Sequence, residues 1–199
     1  MIALLLLAAG SSRRMRGPDK LLEEVDGIAL LRRQCLRALE TGCPVLVTLP
    51  ALDHPRRTVL AGLPVQMVEV RNADEGMNAS LRAGLRACGE RTEALMVVLA
   101  DMPDLTTDDM NIMLQAADLK SETLIWRAVT ASGDAGHPII FHKQLFPDIM
   151  ALHGDAGARE VVARHGDVTA RIPLPGDHAR TDLDTPEAWA AWRATRSAT

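Results

Sequence analysis

The stretch that decides the fold is residues 2–20, IALLLLAAGSSRRMRGPDK. It opens with an apolar run, Ile2–Ala8, that has the length of one strand. Continuous apolar runs are typical of strands covered on both faces, as in parallel sheets. The run is too short to span a membrane and lacks a basic segment before it, so we expect neither a membrane anchor nor a signal peptide. A buried strand that leads directly into a small, basic loop is the better interpretation.

Three more apolar runs of strand length follow, and segments with helical spacing separate them. The runs are Val45–Leu49, Val65–Val70 and Ala94–Ala100. One predicted helix has Ile28, Leu31, Cys35, Leu36 and Leu39 on a single face, and the others are Met77–Ala87 and Asp108–Leu119. This alternation predicts βαβ units and a doubly wound, mostly parallel sheet.

The second half of the chain is less regular. We predict strands at Thr123–Val129, Pro138–Phe141 and Val168–Leu174, and a helix at Asp155–Arg164. Thr185-Pro186-Glu187 is the start of a closing helix, with threonine as the N-cap and proline at the first helical position. No linker or repeat divides the sequence, so we expect one domain over residues 1–199.

The composition restricts the partners. The chain has 199 residues, 47% of them hydrophobic, and a formal net charge of −4. A protein that binds the phosphate backbone of nucleic acid usually carries an excess of basic residues. We therefore expect a small ligand and no nucleic acid or membrane partner. Cys35, Cys43 and Cys88 are odd in number and lack metal-ligand spacing. We interpret them as reduced cysteines of a cytoplasmic protein.

The loop after the first run is suited to phosphate. Its first residues are small, so the backbone can approach a ligand and direct N–H groups at phosphate oxygens. Arg14 and Lys20 can then neutralise a triphosphate. The loop is not a P-loop, because no Gly-Lys-Ser/Thr follows, and it lacks the G-x-G-x-x-G of dinucleotide sites. The alternative is an ordinary strand-to-helix turn with solvated arginines.

Carboxylates end one predicted strand and precede the closing helix. Asp101 ends the run Ala94–Ala100, at the sheet edge where the first loop should also lie. Asp182 and Asp184 alternate along an extended segment and should point to the same side. Magnesium prefers carboxylate oxygens, so one of the pair can complete a metal site with Asp101. The alternative is that these residues only cap the segments that follow them.

The loop resembles the L-A-A-G-x-S-x-R-M-x-x-x-K signature of the nucleotidyltransferases that process the molybdenum cofactor, and more distantly the enzymes that activate sugar phosphates. In this sequence four residues, instead of three, stand between Met15 and Lys20. The resemblance implies a Rossmann-like three-layer α/β domain. It implies catalytic roles for Arg14, Lys20 and Asp101. Arg16 stands where these families usually have glycine. The implied nucleotide-binding residues are Leu7, Ala8, Ala9, Gly10, Ser11, Ser12, Arg14, Lys20, Gly76, Met77, Ser80 and Asp101.

Other short elements share this resemblance. Gly76-Met77-Asn78-Ala79-Ser80-Leu81 is similar to an element beside the nucleotide, where Asn78 and Arg82 are additional candidates. The D-T-P-E element at Asp184 favours that residue as the second Mg²⁺ ligand, with Asp101 as the first. Gly136-His137-Pro138 and the segment 154–159 resemble acceptor-side elements. They imply acceptor-binding roles for His137, Asp155, Gly157 and Arg159.

The implied reaction is attack by the terminal phosphate of molybdopterin on the α-phosphate of a nucleoside triphosphate, with release of pyrophosphate. Ala9 resembles the cytidylyl branch, so we expect CTP, whereas the guanylyl branch usually has glycine there. The product would pass to a molybdoenzyme. The alternatives are guanylyl transfer with GTP, cytidylyl transfer to a sugar or polyol phosphate, a non-catalytic nucleotide or cofactor carrier, and a nicotinamide-dependent oxidoreductase. Retention of Lys20, Asp101 and Asp184 disfavours a carrier, and the missing dinucleotide fingerprint disfavours the oxidoreductase.

Overall fold

The computed structural model describes residues 1–154 and 157–197 and has a seven-stranded sheet at its centre. The strands are β1 Ile2–Leu7, β2 Glu24–Val25, β3 Ile28–Ala29, β4 Val45–Leu49, β5 Gln66–Glu69, β6 Ala94–Leu99, β7 Ile125–Val129, β8 Ala135–His142 and β9 Thr169–Pro173. The helices are α1 Leu30–Glu40, α2 Arg56–Val59, α3 Met77–Ala87, α4 Thr107–Ala116, α5 Phe146–Met150, α6 Arg159–Arg164 and α7 Pro186–Ser197. Within the described ranges, no helix is long and apolar enough to cross a bilayer.

The sheet has the order β5-β4-β1-β6-β8-β7-β9, and β2 and β3 form a separate hairpin. Parallel pairs join β1 to β4 and β6, β4 to β5, and β7 to β9, while β8 is antiparallel to both neighbours. The chain steps outward from β1 through β4 to β5, and α3 returns it to β6 on the other side of β1. Strand order reverses there, and in such sheets ligands bind beyond the carboxyl ends of the strands at that point. The predicted α/β fold is confirmed.

Alternate residues of β1 face two hydrophobic cores. Leu4 and Leu6 pack in one core with residues of α1, α4 and α7, and Leu5 packs in the other with residues of α3, α5 and α6. Because both faces of β1 are covered, its sequence is a continuous apolar run rather than an alternating one. Trp189 of α7 lies in the first core and is 2% exposed, so the last helix packs against that core.

Several predicted boundaries were wrong, among them the start of β8, which is Ala135 instead of Pro138. Ile28 was placed on the face of the first helix, but it pairs with Val25 in the β2–β3 hairpin and is 37% exposed. The hairpin forms because Asp26 and Gly27 both adopt positive φ, and α1 begins only after it. Helix α4 ends at Ala116 instead of Leu119, where the Asp118 side chain accepts a hydrogen bond from the Lys120 backbone and forms a turn. Helix α6 begins at Arg159, and residues 155 and 156 of the predicted helix lie outside the described residues.

Candidate active site

A cleft of about 1420 Å³ opens at the carboxyl edge of the sheet, above the ends of β1 and β6. The structure brings the predicted site residues together there, with Asp155 alone lying outside the described residues. Those lining the cleft are Leu7, Ala8, Ala9, Gly10, Ser11, Ser12, Arg14, Lys20, Gly76, Met77, Ser80, Asp101, His137, Gly157, Arg159 and Asp184. Residues implied separately for nucleotide and acceptor therefore share one cavity.

Lys20 is the centre of a charged cluster in the cleft. Its Nζ donates hydrogen bonds to Asp101, which follows β6, and to Asp184, which precedes α7. A second cation, Arg14, contacts Asp184 with 2.6 Å between Nη2 and Oδ2. Asp182 joins the group, and one carboxylate oxygen from each of the three aspartates lies within 4.8 Å of the others. The segment 182–184 thus projects both of its carboxylates towards Asp101, as the alternation predicted.

The cluster shifts the ionisation of its members. Burial works to lower the pKa of Lys20, but the negative charges of Asp101 and Asp184 outweigh it and raise that pKa. Burial and the neighbouring Asp101 and Asp184 raise the pKa of Asp182. The pKa of Asp184 is lowered, because hydrogen bonding and charge from Lys20 and the charge of Arg14 outweigh burial. One carboxylate of the three is therefore poorly neutralised, and an additional cation would correct this.

Asp101 also has an unused buried ligand atom. Its Oδ2 accepts from Lys20, whereas its Oδ1 is buried and without a hydrogen-bond partner. An unpaired buried carboxylate oxygen is costly unless something binds it. Hard divalent cations prefer such oxygens, so Asp101, Asp182 and Asp184 fit the requirements of a Mg²⁺ or Mn²⁺ site.

Arg56 holds both ends of the loop that follows β1, although nothing in the sequence marked it. The residue is 1% exposed. Its guanidinium donates to the Ala8 carbonyl oxygen at 2.6 Å, to Ser12 Oγ at 2.9 Å, and to both carboxylate oxygens of Asp19 at 2.7 and 2.8 Å. Ser12 also donates to Asp19 at 3.1 Å. The loop is thereby closed on itself next to Lys20.

Helix α1 fastens the segment that carries Asp101. Gln34 is fully buried and donates to the Met102 carbonyl oxygen at 2.5 Å. Arg37 donates to the carbonyl oxygens of Pro103 and Leu105 at 2.8 and 2.6 Å. These contacts hold the backbone immediately after Asp101, so the carboxylate is fixed by the helix as well as by its own strand.

The start of α3 places Gly76, Met77 and Ser80 at the cleft, but Asn78 and Arg82 turn away from it. Asn78 donates to the His153 carbonyl oxygen at 2.8 Å, and Arg82 donates to the Leu152 carbonyl oxygen and to Glu75. Both are needed to tie α3 to the segment after α5. Neither residue lines the cleft.

Another part of the cleft lining contains a close contact between the backbone of residues 136–137 and that of Ala179. The His137 backbone N–H donates to the Ala179 carbonyl oxygen at 2.8 Å, and a Cβ on Gly136 would overlap that oxygen. Glycine is therefore required at 136. Burial, followed by the positive charge of Arg127, lowers the pKa of His137 to about 4. The imidazole is neutral near pH 7, and its Nδ1 is buried without a partner.

Comparisons with known proteins give the relatives of this chain. The family model described as MobA-like NTP transferase domain matches residues 4–168. The purine catabolism protein PucB of Bacillus subtilis (strain 168) is 26% identical over 193 residues, which cover 91% of this chain and 90% of that protein. The molybdenum cofactor guanylyltransferase of Rhodopseudomonas palustris (strain BisB5) is 36% identical over 138 residues, covering 68% of this chain and 63% of the relative. The structure of Rv0371c from Mycobacterium tuberculosis H37Rv in complex with manganese has a TM-score of 0.79 and 25% identity, with 96% of each chain covered.

Proposed function

Because this chain belongs to the MobA-like NTP transferase domain family, it is a nucleotidyltransferase, and we propose that it transfers CMP from CTP to the terminal phosphate of molybdopterin. An oxygen of the acceptor phosphate attacks the α-phosphorus of CTP. The bond from that phosphorus to the oxygen bridging it to the β-phosphate breaks, and pyrophosphate leaves. The product is a molybdopterin dinucleotide, to be received by a molybdoenzyme.

The observation that carries the proposal is the cluster of Lys20, Asp101 and Asp184 beside the loop 8–20. A closed loop of small residues offers backbone N–H groups to phosphate oxygens. The triphosphate lies along this loop, with Arg14 and Lys20 neutralising its negative charge. Nucleotidyl transfer depends mainly on positioning of the reactants and neutralisation of their charge. No covalent enzyme intermediate is therefore needed.

Asp101 and Asp184 would hold Mg²⁺, and the unpaired Oδ1 of Asp101 is the feature that best fits a metal ligand. The bound ion would neutralise charge on the triphosphate and on the departing pyrophosphate. Asp182, whose pKa is raised, is the third carboxylate within reach. Gly157, His137 and Arg159 also line the cleft and would contact the acceptor.

CTP is the preferred nucleotide because of the resemblance at Ala9, and GTP is the second candidate. The names of several relatives, among them the one from Rhodopseudomonas palustris, favour GTP. Ala9 is 4% exposed and packs with Val70 and Ala79 beneath the loop. Its methyl group therefore acts on the base mainly through the position of the loop backbone.

The test is product formation from molybdopterin, Mg²⁺ and each of CTP, GTP, ATP and UTP, with the dinucleotide identified by mass. We expect the cytidine dinucleotide. In Ala9→Gly, we expect the ratio of kcat/KM for CTP to that for GTP to fall by about tenfold, since removing one methyl is worth about 1 kcal/mol or more. A guanosine dinucleotide from the unmodified protein would refute the CTP assignment while keeping the reaction class.

A further inference from the structure

Among the described residues, two guanidinium groups that line the cleft lack a counter-ion. Arg127 lies on β7 and Arg159 begins α6, and both line the cavity wall that also carries His137. In the described ranges 1–154 and 157–197, neither has a carboxylate oxygen within 4.0 Å. The other lysine and arginine residues lining the cleft are paired: Arg13 with Asp74, Arg14 with Asp184, Lys20 with Asp101 and Asp184, Arg56 with Asp19, and Arg180 with Asp134.

The two unpaired groups also repel each other. Arg127 is half-buried and donates one weak hydrogen bond, from Nε to the Gly136 carbonyl oxygen at 3.4 Å. Burial lowers the pKa of Arg127, and the positive charges of Arg159 and Arg171 lower it further. Arg159 is exposed to solvent, so the repulsion acts mainly on the half-buried Arg127. Such an arrangement is favourable when an anion binds between the charges.

We propose that Arg127 and Arg159 form a binding site for the phosphate monoester of the acceptor. The identification of the anion as the acceptor phosphate rests on the proposed function. A phosphate monoester carries close to two negative charges near neutral pH, which match two guanidinium groups. The planar donors of arginine suit phosphate oxygens, and each group can bind in a bidentate manner.

The location also suits the reaction. The triphosphate side of the cleft holds the carboxylate cluster, which repels an approaching dianion, while this wall supplies the compensating positive charge. Because His137 is neutral near pH 7, the two arginines are the cations that this wall offers without a partner among the described residues. An acceptor without a phosphate would leave both arginines uncompensated and would bind poorly, so the pair selects phosphorylated acceptors.

Inorganic phosphate is the probe for this site. The protein is first saturated with Mg²⁺ and a non-hydrolysable α,β-methylene analogue of CTP, which blocks the nucleotide side, and phosphate binding is then measured by calorimetry. We expect Arg127→Gln and Arg159→Gln each to weaken phosphate binding by about tenfold or more, the usual loss for a charge-assisted hydrogen-bonding partner. Arg171→Gln is the matched control, because it removes a charge near Arg127 from outside the cleft, where Arg171 donates to the Gly133 carbonyl oxygen. That variant should bind phosphate within about twofold of the unmodified protein.

A second readout separates binding from folding. Without phosphate, Arg127→Gln should unfold at the same temperature as the unmodified protein or a higher one, because a repelled charge is gone. Added phosphate should raise the unfolding temperature of the unmodified protein but not that of the variant. Phosphate binding of equal strength in Arg127→Gln, an equal loss in Arg171→Gln, or no phosphate binding to the unmodified protein would overturn the proposal. Since no turnover is measured, these results do not depend on whether molybdopterin is the acceptor.

Discussion

Replacement of Arg56 by methionine should release the loop after β1 and destabilise the whole fold. Methionine keeps most of the apolar volume but removes the four hydrogen bonds to Ala8, Ser12 and the two oxygens of Asp19. It leaves the Asp19 carboxylate, whose side chain is 19% exposed, without its counter-ion. Breaking a buried ion pair from one side costs about 3–5 kcal/mol. Because Asp19 keeps some contact with water, we expect the free energy of unfolding to fall by about 3 kcal/mol, at the lower end of that range.

Urea unfolding at pH 7 measures this loss, and a double-mutant cycle identifies its origin. In Arg56→Met with Asp19→Asn, the unpaired charge is gone, so we expect at least about 1 kcal/mol of the loss to be recovered. The control is Arg57→Met on the same short helix, where the exposed arginine donates a 3.3 Å hydrogen bond to the Leu52 carbonyl oxygen. It should change stability by less than about 0.5 kcal/mol. If Arg56→Met cost no more than Arg57→Met, or if the double variant recovered nothing, the account of this loop would be wrong.

Three further predictions concern the cleft. Gly136→Ala should cost more than about 2 kcal/mol in urea unfolding, because its Cβ would overlap the Ala179 carbonyl oxygen, whereas Gly89→Ala, with open space around it, should be nearly neutral. Because the pKa of His137 is lowered in the folded protein, the unfolded chain binds a proton more readily than the folded one. As the pH decreases from about 6.5 to about 4, the free energy of unfolding should therefore decrease by up to about 3 kcal/mol. His137→Gln should reduce that fall, and an unchanged pH profile of unfolding would contradict the buried, neutral imidazole. Chelation of divalent metal should abolish turnover, and restoring Mg²⁺ should recover it, whereas turnover in the presence of excess chelator would refute the metal role of Asp101.

Much of the fold could be predicted from the sequence, because the parallel strands on either side of the cleft are buried on both faces. Apolar runs gave β1, β4 and β6 to within one residue, and the ends of β1 and β6 were expected at the same edge of the sheet because parallel strands share a direction. Asp101 could be selected as a candidate from the sequence because it stands at the end of a predicted strand. The error at Ile28 has a local cause, since an apolar residue with helical spacing also fits a hairpin when Asp26 and Gly27 make the turn.

The residues that were missed act through long-range contacts. Arg56 is adjacent to Arg57 in a polar stretch, and the two cannot be told apart until the fold brings one of them to Asp19, 37 residues away. Arg127 did give a signal, because a charged residue in the middle of a predicted strand needs a reason to be there. Asn78 and Arg82 show the converse, since polar residues beside a predicted ligand element can donate tertiary hydrogen bonds to backbone carbonyl oxygens of another segment. The assignment of one domain to residues 1–199 and the roles of the individual site residues stay predictions.

The most direct test of the central claim is pyrophosphate release from CTP with Mg²⁺, with and without molybdopterin, in the unmodified protein and in Asp101→Asn. Asp108→Asn is the control, since Asp108 is an exposed carboxylate on α4 that does not line the cleft. The account predicts release that requires the acceptor, falls by at least about a hundredfold in Asp101→Asn and is unchanged in Asp108→Asn. Equal release by Asp101→Asn and the unmodified protein would contradict the claim that this cleft carries out the transfer.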